Sequence, residues 1–146
     1  MSAVSLLRVV LDTNIVFEGL TRRGGAAGVL VDAWLAGRIY VCVSSAVVYE
    51  YVDVLSRKLS KARWERVKPV LAVLLTRAHF VALYYRWRPI SPDPGDDRVI
   101  DCAMNAGATV VTANLRHFVT AQESLGLRII DAVEAVRRVM GEMAPE

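Results

Sequence analysis

Short, continuously apolar runs alternate with helical segments along this chain, and that alternation restricts the possible folds more than any other feature. The runs have the length and composition of buried strands: RVVLD (8–12), IYVCV (39–43), HFVAL (79–83), TVVT (109–112) and LRII (127–130). Strands that are apolar on both faces and separated by helices form parallel sheets with helices on both sides. The sequence therefore predicts a three-layer α/β/α sandwich around a parallel five-stranded sheet.

The intervening segments carry helix signals. The predicted helices begin near Asn14, cover 26–36, start at Ser44 or Ser45 and end near Leu59, and cover 61–76, 96–106 and 131–140. Pro69 predicts a break or kink in the fourth of them, because proline lacks the N–H that a helix interior needs. Gly107 predicts a C-terminal cap of the fifth.

Length and composition narrow the class of protein. The 146 residues, 54% of them hydrophobic, predict a single globular domain spanning 1–146. The longest apolar run, PVLAVLL, is far shorter than the roughly 20 residues of a membrane span, and the N-terminus shows no basic leader before an apolar core. Cys42 and Cys102 lie far apart without metal-ligand spacing, which predicts buried, reduced thiols in a cytoplasmic protein. Two scattered histidines are too few for a zinc site.

Basic residues concentrate in the middle of the chain. Between positions 56 and 88 there are nine basic residues and one acid, Glu65, with aromatic residues among them at Trp64, Tyr84, Tyr85 and Trp87. Such a stretch can follow a phosphate backbone while the aromatic rings stack on unpaired bases. A solvated helical face with buried aromatic side chains explains the same pattern, so both interpretations stay open.

Acidic residues concentrate just after this basic stretch, in SPDPGDDRVIDCAMNAG (91–107). Asp93 before Pro94 is typical of a helix N-cap followed by proline at the first helical position, and Asp96 then lies in the first turn. Capping explains two of the four aspartates. We expect Asp101, about one turn beyond Asp97, to face solvent or a basic partner.

Four oxygen-bearing side chains follow different strands of the predicted sheet. Asp12 ends the first strand, Glu50 lies in the helix after the second, Asp96 follows the third, and Asn114 follows the fourth. Ligands of parallel sheets bind beyond the carboxyl ends of the strands, so these residues should meet at one edge. Clustered carboxylates are costly without a counter-charge. Mg²⁺ or Mn²⁺ takes such oxygen ligands and can activate water for attack on a phosphoryl group.

Three segments, VVLDTN, the Glu50-containing SSAVVYEYVDVL, and DPGDDRVIDCAMNAGATVVTANLRHF, resemble the PIN-domain family. More narrowly, they resemble VapC-type toxins, the ribonuclease half of prokaryotic toxin–antitoxin pairs. The resemblance covers nearly the whole chain in order. It implies a compact parallel α/β/α sandwich, an acidic Mg²⁺/Mn²⁺ site, and endonucleolytic cleavage of RNA that leaves a 3′-hydroxyl and a 5′-phosphate.

Residue by residue, the resemblance identifies Asp12, Glu50 and Asp96 as the catalytic, metal-holding acids. Asp96 matches the third acid best, because Gly107 lies eleven residues on and Asn114 eighteen. Asp97 is its neighbour and could share the metal-binding role.

The sequence departs from the family at one point. Many members carry a fourth acid at the position of Asn114 or His117, and this chain carries neither. Asn114 can still bind a metal, or a water on the metal, through its carbonyl oxygen. One missing negative charge should weaken a second ion first, so we expect one tightly held ion, with Asp93 as a reserve ligand.

Substrate contacts are expected from polar and basic residues near the acids. The resemblance assigns hydrogen bonds to ligands or phosphate to Thr13, Asn14 and Thr112. The RNA backbone would be positioned by basic side chains, which are Arg57, Lys58, Lys61, Arg116 and also Arg98.

Partners and alternatives complete the predictions. PVLAVLL is more apolar than one helical face of a small domain needs, and the family commonly forms symmetric dimers, so a homodimer is expected. The resemblance also implies a possible cognate antitoxin. A PIN fold that has lost its metal site and binds RNA or protein remains an alternative. A phosphoacceptor receiver domain is disfavoured, because LRII stands where that class needs a lysine after its fifth strand.

Overall fold

The fold is built on a parallel sheet. The computed structural model describes residues 6–22, 24–86 and 94–143. Its strands pair in parallel in the order β3-β2-β1-β4-β5, and they are β1 (Arg8–Leu11), β2 (Tyr40–Val43), β3 (His79–Phe80), β4 (Thr109–Val111) and β5 (Ile129–Ile130). The predicted parallel sheet of five strands is confirmed.

Helices cover both faces of this sheet, which confirms the predicted three layers. They are α1 (Thr13–Thr21), α2 (Ala26–Leu35), α3 (Ser45–Lys58), α4 (Lys61–Thr76), α5 (Pro94–Ala106), α6 (Val119–Leu125) and α7 (Ala132–Met143). A 3₁₀-helix at Leu115–Phe118 leads directly into α6. The sequence did not predict the 3₁₀-helix or α6, because neither is long enough to show a helical period and neither begins with a side-chain cap.

Serine side chains cap the starts of α3 and α4, and a glycine ends α5. The Ser44 hydroxyl accepts a hydrogen bond from the Val47 backbone N–H at 3.2 Å, which makes Ser44 the N-cap of α3. Ser60 caps α4 in the same way. After α5, Gly107 adopts a positive φ of 63°, as the predicted C-terminal cap requires.

Several predicted boundaries differ by a few residues, and two predictions, for 79–83 and for Pro69, differ most from the structure. Residues 79–83 were predicted as a strand, but only His79 and Phe80 form it, at the sheet edge where both side chains are exposed. Pro69 lies inside α4 without ending it, so the predicted break is wrong, and the alternative, a kink, stays a prediction. Burial of Leu71 and Leu74, two and five residues beyond the proline, offsets the hydrogen bond that proline removes.

Helices α1 and α2 approach each other closely at Gly19. A Cβ atom at this position would lie 2.5 Å from a methyl carbon of Val31 and 2.7 Å from the carbonyl oxygen of Ala27. Gly19 is therefore required by packing rather than by its backbone angles. In the described part of the chain, no helix combines the length and apolar character that crossing a bilayer demands.

Candidate active site

Asp12 is held by several hydrogen bonds at the carboxyl edge of the sheet. It follows β1, caps α1, and is 6% exposed. One carboxylate oxygen accepts a hydrogen bond from the Thr13 backbone N–H at 2.8 Å, and the other accepts one from the Thr112 hydroxyl at 2.8 Å. Its own N–H donates to the Val111 carbonyl of β4 at 2.9 Å. The first strand, the fourth strand and the first helix thus fix this carboxylate together.

Thr112 links Asp12 to the loop that carries Asn114. The Thr112 side chain is fully buried, and its hydroxyl accepts a hydrogen bond from the Asn114 backbone N–H at 3.0 Å while it donates to Asp12. The structure therefore places Thr112 behind the acid, where it orients Asp12. Asn114 itself is exposed and lines the cleft.

Tyr51 connects α3 to the end of β1, and the sequence reading did not identify it. Its side chain is buried, and its hydroxyl donates a short hydrogen bond to the Leu11 carbonyl, next to Asp12. Burial raises the pKa of the Tyr51 hydroxyl well above its ordinary value, with smaller contributions from Cys102 and Asp12. The hydroxyl therefore stays a donor and fixes the helix from which Glu50 projects. A polar tyrosine on the apolar face of α3, directly after Glu50, was the available signal.

Glu50 is half-buried and forms an ion pair that the sequence did not predict. A guanidinium nitrogen of Arg98 on α5 lies 2.7 Å from a Glu50 carboxylate oxygen. The same guanidinium lies 5.9 Å from the ring centroid of Tyr49, within the range of a cation–π contact. Arg98 was expected to position RNA, which stays a prediction, and in this structure its guanidinium contacts Glu50.

Asp96 lies at the start of α5, where the positive end of the helix dipole favours a carboxylate. One of its oxygens is 3.3 Å from Nδ1 of His117, with the carboxyl side chain 8% exposed and the histidine half exposed. Asp97 is buried beside it. Asp93 lies outside the described residues.

Asp101 corrects a prediction. It was expected to face solvent or a basic partner, and the expected exposure to solvent is wrong because Asp101 is fully buried; a basic partner stays a prediction. Asp97 and Asp101 are one turn apart on α5, so they lie on the same helix face. That helix packs against β1, β2 and β4, and the face carrying both aspartates is therefore turned inward.

The three predicted acids line one cleft of about 200 Å³ at the carboxyl edge of the sheet. Its lining combines acids, an amide, polar residues and one lysine with two apolar side chains; the residues are Asp12, Thr13, Asn14, Phe17, Glu50, Val54, Lys58, Gly95, Asp96, Asn114 and His117. The predicted convergence therefore holds for Asp12, Glu50, Asp96 and Asn114, and also for Thr13 and Asn14.

The predicted basic residues are divided between the cleft and the surface. Lys58 lines the cleft, with its ammonium group 5.6 Å from the ring centroid of Phe17. Arg116 is exposed and lines a neighbouring hollow that shares Asn114 and His117 with the cleft. The other two are exposed and lie on the outer surface, Arg57 in an ion pair with Asp53 at 3.1 Å and Lys61 at the start of α4.

The donor atoms of the cleft suit a hard divalent cation, but the acids are not gathered into a metal cluster. Carboxylate and amide oxygens are ligands that Mg²⁺ and Mn²⁺ prefer. Within 6–22, 24–86 and 94–143, however, no three His, Cys, Asp or Glu side chains stand close enough together to hold a metal ion. The contacts give the reason, since Glu50 is turned toward Arg98 and Asp96 toward His117.

The fold and this cleft define a parallel α/β/α protein with an oxygen-rich site where the strands end. A family model described as PIN domain matches residues 8–116. The chain therefore belongs to the PIN-domain family, which confirms the resemblance drawn from its three segments. A comparison with curated proteins gives no match.

Solved structures share the fold at low sequence identity. A chain of VapBC2 from Rickettsia felis, bound to a DNA fragment from their promoter, is 19% identical with a TM-score of 0.62, over 86% of this chain and 98% of that chain. FitAcB from Neisseria gonorrhoeae is 15% identical with a TM-score of 0.57, over 85% and 97%. VapBC-1 from nontypeable Haemophilus influenzae is 15% identical with a TM-score of 0.57, over 87% and 99%.

Proposed function

We propose that this protein is a Mg²⁺- or Mn²⁺-dependent endoribonuclease. The observation that carries the proposal is the meeting of Asp12, Glu50, Asp96 and Asn114 in one cleft at the carboxyl edge of the sheet. Membership of the PIN-domain family supports the same reaction class. When bound, the divalent ion would supply Lewis-acid stabilisation of phosphoryl charge and a water of lowered pKa.

The residues of the chain have separate roles in this proposal. Asp12, Glu50 and Asp96 would hold the ion, with Asn114 adding a neutral oxygen and Asp97 in reserve. Lys58 supplies positive charge inside the cleft, and Arg116 extends it beyond Asn114. These two cations would hold the RNA backbone by its phosphates, while Thr13 and Asn14 face the same space.

Substitution of Asp12 tests the proposal. Asp12→Asn keeps the size of the side chain and an oxygen that can accept the Thr13 N–H, but removes the negative charge. We expect loss of Mn²⁺-dependent cleavage of a mixed RNA pool, and at least a tenfold loss of Mn²⁺ affinity measured by calorimetry. Asp131→Asn is the matched control, because Asp131 is an exposed residue whose carboxylate accepts the Glu134 N–H at the start of α7. Wild-type cleavage by Asp12→Asn would overturn the nuclease proposal.

One observation favours a second candidate, a PIN-fold module that binds RNA or protein without catalysis. Glu50 is neutralised by Arg98, and Asn114 stands where an acid would add charge. Such a module would bind RNA, would not cleave it at any Mn²⁺ concentration, and would be indifferent to Asp12→Asn.

We also propose two partners. The structures with which the chain shares its fold carry names of paired proteins, VapBC and FitAB, which supports a cognate antitoxin. A homodimer is supported by α4, where Val70 and Val73 are 40% and 45% exposed beside the buried Leu71 and Leu74. Val73→Asp should shift the protein from dimer to monomer in light scattering after size exclusion, and the surface variant Lys68→Asp should not. An unchanged mass for Val73→Asp would exclude this interface.

A further inference from the structure

Arg98 and Glu50 form the ion pair that most directly affects the proposed metal site. The guanidinium approaches the carboxylate to 2.7 Å, and the two side chains are 33% and 21% exposed. A hydrogen bond between charged groups at this distance is among the stronger polar contacts in proteins. Glu50 lines the cleft with Asp12 and Asp96. The group that its carboxylate contacts therefore determines whether the Glu50 oxygens are available to a cation.

An arginine cannot leave this carboxylate by losing its charge. Arginine side chains carry a permanent positive charge in proteins, so a cation that binds Glu50 has to displace the guanidinium or share the carboxylate with it. A second contact is available to the displaced group, because the guanidinium already lies 5.9 Å from the ring centroid of Tyr49. Displacing the Arg98 guanidinium from Glu50 therefore requires only a side-chain movement, and the displaced positive charge keeps a favourable contact.

We propose that Arg98 is a positioning residue that competes with the divalent cation for the Glu50 carboxylate. This inference rests on the proposed function, because it assumes that Glu50 helps to hold the ion. It explains why no three acidic side chains in the described ranges are gathered into a metal cluster although three of them line one cleft. The affinity of the protein for the cation then depends on the difference in free energy between two contacts of the Glu50 carboxylate, one with the cation and one with Arg98.

Mn²⁺ titration of the full chain, followed by the electron paramagnetic resonance signal of the free ion, tests the competition. Arg98→Met removes the charge and keeps most of the length of the side chain. We expect it to bind Mn²⁺ about tenfold more tightly than wild type, a value at the low end for a charged hydrogen bond because the pair is partly exposed. In the double variant Arg98→Met/Glu50→Gln the gain should disappear.

The control removes a comparable ion pair elsewhere. Arg138→Met breaks the contact of Arg138 with Glu134 on α7, at 3.1 Å and away from the cleft, and should leave Mn²⁺ affinity unchanged. Arg98→Lys keeps the positive charge and should bind Mn²⁺ within a few-fold of wild type. If Arg98→Met does not fold, as judged by circular dichroism, Arg98→Gln provides the same comparison.

Each outcome decides the question. Tighter Mn²⁺ binding by Arg98→Met, lost again in the double variant, supports the competition. Equal or weaker binding by Arg98→Met, with clear binding by wild type, overturns the competition and leaves the proposed nuclease standing. If neither wild type nor Arg98→Met binds Mn²⁺, both proposals fall. A gain that persists in the double variant shows that Arg98 acts through another group, and it also overturns the inference.

Discussion

Replacing Thr112 by valine tests how the fold holds its central acid. The substitution keeps the shape of the side chain and removes a hydroxyl that donates to Asp12 at 2.8 Å and accepts from the Asn114 N–H at 3.0 Å. The Asn114 N–H can bond to water instead, because the loop is exposed. Asp12 is 6% exposed, so water can replace the lost donor only in part.

The magnitude follows from these two contacts. A hydrogen bond to a charged acceptor contributes about 1.5–3 kcal/mol, and the second contact is compensated by solvent, so the free energy of unfolding should fall by about 1.5–3 kcal/mol. For a chain of this length each kcal/mol corresponds to roughly 2–4 °C in Tm, so Tm should fall by about 3–12 °C. RNA cleavage should fall as well, because Asp12 loses the donor that orients it toward the cleft.

Calorimetric unfolding and a cleavage assay on the same preparations check this prediction. Thr112→Ser keeps the hydroxyl and loses one methyl group, so it should cost about 1 kcal/mol and retain most activity. Thr120→Val, at an exposed position on α6, should change stability by less than about 0.5 kcal/mol. The reasoning is refuted if Thr112→Val is as stable as wild type, or if Thr112→Ser is as damaging as Thr112→Val.

Two further predictions concern the core. Gly19→Ala should destabilise the protein by about 1–3 kcal/mol in urea unfolding, although alanine favours a helix, because its Cβ meets the Ala27 carbonyl oxygen at 2.7 Å and Val31 at 2.5 Å; a stabilised variant would contradict this packing. Burial raises the pKa of Cys42 to about 11 and that of Cys102 to about 12, so neither thiol should react with a disulfide reagent at pH 8 until denaturant is added. Rapid reaction of the native protein would contradict their burial.

The layers of the fold could be predicted because each strand is apolar on both faces. Val9, Val10 and Leu11 are all buried, and only a central strand of a covered parallel sheet places consecutive side chains in that environment. The length of the edge strand β3 was overestimated. Its length depends on how far β2 extends beside it, and the apolar pattern of residues 79–83 carries no information about β2. Tertiary packing likewise decided the course of α4 through Pro69.

The residues of the site could be predicted, but their contacts could not. The carboxyl ends of parallel strands meet at one edge, which was enough to bring Asp12 and Asp96 together from distant parts of the chain. The contact between Arg98 and Glu50 joins two helices, so it depends on the angle between α3 and α5. The burial of Asp101 was missed for a related reason. Packing against the sheet decides which face of α5 is buried, and the sequence does not show that packing.

The aromatic residues of the basic stretch divide between the two interpretations that the sequence left open. Trp64 is half-buried and packs against the core, as a structural role requires. Tyr84 and Tyr85 are exposed, and the Asn105 side-chain oxygen accepts hydrogen bonds from both of their backbone N–H groups. Trp87 lies outside the described residues. Of the aromatic residues of this stretch that the structure describes, Tyr84 and Tyr85 are therefore the pair whose rings are accessible at the surface.

The charge balance of the cleft changes the argument for a metal ion. Clustered carboxylates seemed to need a divalent cation, but in this fold the chain supplies its own partners: Thr112 and the α1 amide for Asp12, Arg98 for Glu50, and His117 for Asp96. Contacts within the chain therefore stabilise each carboxylate, and the case for the ion rests on the oxygen donors and the cleft they share. Because binding the ion means exchanging protein partners for it, metal affinity should depend on the residues that neutralise the acids as strongly as on the acids themselves.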